Sequence, residues 1–122
     1  MPIVDVTLVL ARGALPPKGV ARELANAIGL ALKAEPGLVW VRLHVLGTDQ
    51  YAENESTVED DARPVFVSVL HAKVPEREAL SAELASLVSA IAACRGRQRE
   101  NVHVEYAPAG AGRIAFGGKL VQ

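Results

Sequence analysis

Apolar residues recur every second position in four stretches of this chain and every third or fourth position in two others, which predicts four strands and two helices. The first stretch, Ile3 to Leu10, is rich in β-branched residues and sets Asp5 and Thr7 on one face, as a strand does. Arg12-Gly13-Ala14-Leu15 turns the chain, and Pro16 and Pro17 suit a helix opening, where a missing N–H costs little. Val20, Leu24, Ala27, Ile28, Ala31 and Leu32 then form one helical stripe, stopped by Glu35-Pro36-Gly37. In the second strand, Leu38 to Leu46, Val39, Val41, Leu43 and Val45 oppose Trp40, Arg42 and His44. Residues 47–63 are polar, acidic and aperiodic, and read as a connecting loop in which Tyr51 has the reach to cover a pocket.

The second half repeats the first. Val65 to Leu70 predicts a third strand, and Pro75 opens a helix with apolar positions Leu80, Leu84, Leu87, Val88 and Ile91. Asn101 to Tyr106 predicts a fourth strand, with Val102, Val104 and Tyr106 on one side and His103 and Glu105 on the other. Ile114 to Val121 suits a short hairpin arm with a glycine bend. The helical stripes match at a constant offset of 60, Pro2 and Pro64 open strands 62 positions apart, and Arg42 and His103 lie 61 apart. The expected fold is therefore α+β: a single domain, 1–122, of two tandem β-α-β units (2–46 and 64–106). Right-handed crossovers give one four-stranded sheet with both helices on one face. Trp40 and apolar residues such as Ile3, Val65 and Val67 are then expected on the uncovered face. A parallel strand pair is rarely left bare on one side, so association of several copies is expected.

Composition narrows the function classes. The net charge of −1 gives no reason to expect nucleic acid or an anionic membrane as partner. A single cysteine, Cys94, excludes an internal disulfide and suits a reducing compartment. Ile3 to Leu10 is too short and too interrupted for a signal peptide, and no apolar run approaches the roughly 20 residues of a membrane span. A soluble, cytoplasmic protein is expected. His44 and His71 lack metal-ligand spacing and are expected to be structural, with no metal and no cofactor.

Three stretches carry a resemblance to the tautomerase superfamily. Met1-Pro2-Ile3-Val4-Asp5-Val6, running to Arg12-Gly13, is similar to the start of the short 4-oxalocrotonate tautomerases, where a strand runs from a catalytic proline to a substrate-binding arginine. Leu38-Val39-Trp40-Val41-Arg42 resembles their second strand, whose arginine faces a neighbouring subunit's site. Ile114-Ala115-Phe116-Gly117-Gly118 resembles the hairpin that closes their pocket. The tandem arrangement looks more like the longer branches: macrophage migration inhibitory factor, malonate semialdehyde decarboxylase and cis-chloroacrylic acid dehalogenase. The last two carry arginines where this chain offers Lys73 or Arg77, and Ala115 replaces an acidic residue of the dehalogenases. The migration-factor branch has tyrosine and asparagine where His103 and Glu105 align.

The resemblance implies a homotrimer and a tautomerase or isomerase of small 2-oxo or enol carboxylic acids. Pro2, freed by loss of Met1, would be the general base, and Arg12, Arg42, His103, Glu105 and Phe116 would bind a carboxylate-bearing substrate. The chemistry is coherent. An α-amino group titrates near about 8, and apolar burial or a nearby cation lowers it further, leaving a neutral amine able to move a proton alpha to a carbonyl. An arginine fork grips a carboxylate and offsets enolate charge. A retained Met1 would make Pro2 an amide and leave a non-catalytic trimeric binding or signalling module. The same element order also fits a ferredoxin-like RNA binder, but five aromatic residues and a slightly acidic balance argue against that.

Overall fold

A computed structural model describes residues 2–59 and 62–122; Met1 and its removal, and Asp60 and Asp61 of the acidic loop, lie outside the described residues. The chain runs β1 (Ile3–Leu10), α1 (Val20–Ala31), β2 (Trp40–Gly47), β3 (Val65–Leu70), α2 (Arg77–Arg95), a 3₁₀ turn (Arg99–Asn101), β4 (Val102–Tyr106), β5 (Ala115–Phe116) and β6 (Lys119–Leu120). The four long strands form one sheet in the order β2-β1-β3-β4. Within each β-α-β unit the strands are parallel, and the units meet where β1 runs antiparallel to β3. This is the expected α+β architecture, with both helices on one face.

Side-chain alternation sorts the sheet into two faces. Val4, Val6 and Leu8 of β1 and Val65, Val67 and Val69 of β3 point toward the helices and are buried there with Leu24, Ile28, Leu87 and Ile91. Two expectations are corrected by this arrangement. Val65 and Val67 do not lie on the uncovered face; Phe66, Ser68 and Leu70 of the same strand do, because Val6 pairs with Val67 and both must share a face. The helical repeat also shifts. Buried Leu24 and Ile28 have their counterparts in buried Leu87 and Ile91, 63 positions on, whereas Leu84, at the expected offset of 60, is 37% exposed. The longer α2, with 19 residues against 12 in α1, begins at Arg77 and runs well past one turn before its first buried residue, Leu87, whereas α1 buries its first residue, Val20. In the sheet the repeat holds at 61: Asp5 pairs with Arg42, and Phe66 with His103.

Beyond β4 the tail runs alongside the end of β3. Ala107 N–H donates to the Val69 carbonyl, and Gly110 N–H to that of His71 at 2.8 Å. Gly110 is buried here, and a Cβ on it would stand 2.9 Å from Ile114 Cγ2. Gly117 and Gly118, both at positive φ, then turn β5 back on β6. The corrected helix register has a direct check. Leu87→Ala should lower unfolding free energy by about 2–5 kcal/mol in urea titration, and Leu84→Ala by well under about 1 kcal/mol.

Candidate functional site

Pro2 sits at the entrance of the central strand. It is half-buried, and its carbonyl accepts the Trp40 N–H at 3.2 Å, which ties it to the start of β2. Trp40 is exposed on the uncovered face, and Phe116 packs on it edge-on, with ring centroids 5.0 Å apart at 86°. Phe116 is the last residue of β5, and the glycine turn after it folds β6 back so that Phe116 pairs with Lys119. Pro2 and Phe116 thus share one end of the sheet, linked through Trp40.

The other candidates stand elsewhere in the chain. Arg42 lies on the uncovered face, where Nε and Nη2 donate to the two Asp5 carboxylate oxygens at 2.6 and 2.8 Å. His44 Nε2 is 3.5 Å from the same carboxylate. The hydrogen bonds from Arg42 hold the Asp5 carboxyl below its usual value of 3.8, against partial burial and with help from the guanidinium charge and His44. His103 and Glu105, exposed on edge strand β4, face the same way, and the His103 ring lies 5.5 Å from that of Phe66 at a tilt of 36°, with Phe66 in turn meeting Tyr51 at 5.6 Å. Asp5, Thr7, Phe66, Ser68, His103 and Glu105 line one hollow of about 260 Å³. Tyr51 does reach over the sheet; its hydroxyl donates to Glu53, and that bond, followed by burial, pushes its pKa up to about 12.

Arg12 is at the far end of β1, 81% exposed and 3.8 Å from Asp49. An eight-residue strand separates it from Pro2, roughly 25 Å. A single chain therefore brings together Pro2 with Phe116, and His103 with Glu105, but keeps these two groups apart and Arg12 apart from both.

A cluster that the sequence pattern did not single out lies on the helix side of the Pro2 end. Glu83 Oε2 of α2 meets His71 Nε2 at 2.9 Å and accepts from the Tyr106 hydroxyl at 2.8 Å. The two rings stack at 6.0 Å and 12°. Burial, then the bond to Glu83, pushes the Tyr106 phenol well above its ordinary value. No local signal announces this cluster, because its members come from three separate elements. Among the described residues no group of three or more His, Cys, Asp or Glu side chains is placed to hold a metal ion.

No protein-family model and no curated protein matches the sequence. Solved structures do match the fold. The macrophage migration inhibitory factor of Oncomelania hupensis aligns over 100% of this chain and 83% of its own, with a TM-score of 0.71 and 18% identity. A fused 4-OT that forms a symmetric trimer aligns over 98% and 94%, with a TM-score of 0.74 and 17% identity. The Leishmania major MIF2 aligns over 98% and 97%, with a TM-score of 0.73 and 16% identity. The chain has the fold of the tautomerase superfamily, as the sequence resemblance implied.

The Asp5–Arg42 pair has a pH signature. Because the folded carboxyl is depressed, its stabilising contribution is present above the unfolded value near 3.8 and is lost as pH falls through the lower folded value. In Arg42→Ala, carboxyl ¹³C NMR should show Asp5 titrating nearer 3.8. The stability gap between the variant and the parent chain should close as pH drops through that window. An unmoved Asp5 titration would refute the pairing.

Proposed function

We propose that this protein is a tautomerase or isomerase of small 2-oxo or enol carboxylic acids, with Pro2 as its general base once Met1 is removed. The observation that carries the reading is the position of Pro2: half-buried at the start of the doubly paired central strand, at the end where Phe116 packs on Trp40. Partial burial disfavours an ammonium and favours a neutral amine able to take a proton from a carbon alpha to a carbonyl. A structural neighbour inactivated by 2-oxo-3-pentynoate aligns over 98% of this chain, with a TM-score of 0.72 and 17% identity, and supports the 2-oxo acid class.

Arg12, Arg42, His103 and Glu105 join the site in this reading only if the chain assembles. A homotrimer, the state of the fused 4-OT neighbour, would bring the far end of one subunit's sheet toward the proline end of the next. Exposed Trp40 and half-buried Phe66 and Leu70 on the uncovered face support such assembly. Arg12 would grip the substrate carboxylate; its 3.8 Å contact with Asp49 is loose and exposed, and so weak. A cytoplasmic location belongs to the same proposal and rests on the single, unpaired cysteine. One observation favours a second reading, a non-catalytic trimeric binding module: Arg42 already commits its Nε–Nη2 edge, the edge suited to a bidentate carboxylate, to Asp5.

The deciding experiment combines intact mass, sedimentation and enol–keto turnover of phenylenolpyruvate and 2-hydroxymuconate. The expected results are loss of Met1, a trimer mass, and turnover reduced about 10²- to 10⁴-fold in Pro2→Ala. Turnover unchanged in Pro2→Ala, or a native chain that keeps Met1, moves the assignment to the binding module.

A further inference from the structure

The His71–Glu83–Tyr106 cluster stands beside Pro2 by register. In the antiparallel β1–β3 pair Ile3 stands opposite Leu70 and Val4 opposite Val69. One step further, the same register sets Pro2 opposite His71, on the face that carries Val4 and Val69. The strand-like course of β3 continues to that residue, because the His71 carbonyl still accepts a hydrogen bond from Gly110. At the other end of the pair Val9 N–H donates to Pro64 O, so odd-numbered β1 residues occupy the hydrogen-bonded sites. Pro2 with His71 is then a non-hydrogen-bonded position, where opposed Cα atoms come within about 4.5 Å and side chains are closest.

The cluster also dictates which imidazole nitrogen is available. An ionised Glu83 can only accept, so His71 Nε2, 2.9 Å away, carries the hydrogen. In the neutral ring Nδ1 is then an acceptor with no partner in the cluster. The phenol of Tyr106, held protonated by burial and by Glu83, donates to the same oxygen and stacks on the imidazole, so the ring is fixed in orientation as well as tautomer. With side chains 14% and 16% exposed, His71 and Glu83 are largely shielded from solvent. Among the described residues, the titratable groups in contact with the imidazole are Glu83 from α2 and Tyr106 from β4. Lys33, just past α1, lines a cleft of about 270 Å³ with Glu83.

We propose that His71 is a positioning residue for Pro2, its Nδ1 accepting the single N–H of the mature proline and so aiming the remaining lone pair at the substrate carbon. The idea rests on Pro2 being a free amine, as in the function proposed above. A neutral secondary amine has one N–H and one lone pair, and tying the first directs the second. Glu83 and Tyr106 act on Pro2 only through the ring they hold.

The test separates this idea from the catalytic reading because its main readout needs no substrate. On ¹⁵N-labelled chain shown by mass to lack Met1, trimmed with an aminopeptidase if necessary, NMR should find neutral His71 as the Nε2–H tautomer. The Nδ1–H tautomer would overturn the proposal without any mutation. His71→Gln keeps a polar group near the Nε2 position but removes the Nδ1 acceptor, whereas His71→Asn supplies an acceptor near Nδ1. His71→Gln should move the Pro2 ¹⁵N titration midpoint by about half a pH unit or more. It should also lower kcat about tenfold with KM little changed, and His71→Asn should restore much of both. A Pro2 titration unmoved in a natively folded His71→Gln chain, or equal behaviour of the two variants, overturns the assignment. A moved titration combined with Pro2-independent turnover would instead retain the contact and sink the catalytic function.

Discussion

Everything in this molecule depends on β1 being paired along both edges. It bonds to β2 in parallel and to β3 in antiparallel fashion, and so joins the two β-α-β units into one sheet. Its inward residues Val4, Val6 and Leu8 are almost fully buried beneath the helices. With both ladders formed, β1 has little freedom to shift: a slip of one residue would exchange these side chains for Asp5 and Thr7. Pro2 inherits that constraint. A residue just before a doubly paired strand is held where a free terminus would ordinarily fray.

The two faces of the sheet divide the chemistry. The covered face is almost wholly aliphatic until its last turn, where His71, Glu83 and Tyr106 form a closed polar group at the Pro2 end. The uncovered face is mixed, with Trp40, Phe66 and Leu70 among Asp5, Arg42, His44, Ser68, His103 and Glu105. The Asp5–Arg42 pair illustrates the difference in environment. It is bidentate but largely exposed, so its energetic worth is modest and its main effect is to fix where the guanidinium points.

Fold-level likeness at 16–18% identity reaches across migration inhibitory factors and a fused 4-OT. Such a scaffold hosts different chemistries, so function has to be argued from the site. The proline and, by register, the His71–Glu83–Tyr106 group lie at one end of the sheet, the end at which Phe116 packs on Trp40.

The sequence by itself determined the element order, the duplicated β-α-β units and the placing of Arg42, His103 and Glu105 on the uncovered face, because periods of two and of three to four residues are local properties of the chain. It could not settle which face of Val65–Leu70 turns inward: both alternating sets contain apolar residues, and only pairing of Val67 with Val6 decides between them. Nor could it give the helical offset, since the stripe of α2 is long enough to bury at either of two turns and packing selected Leu87 and Ile91. The capture of Arg42 by Asp5, 37 residues away, and the meeting of His71, Glu83 and Tyr106 are likewise tertiary facts. They arise because strands distant in sequence become neighbours about 4.8 Å apart, a proximity no local pattern encodes.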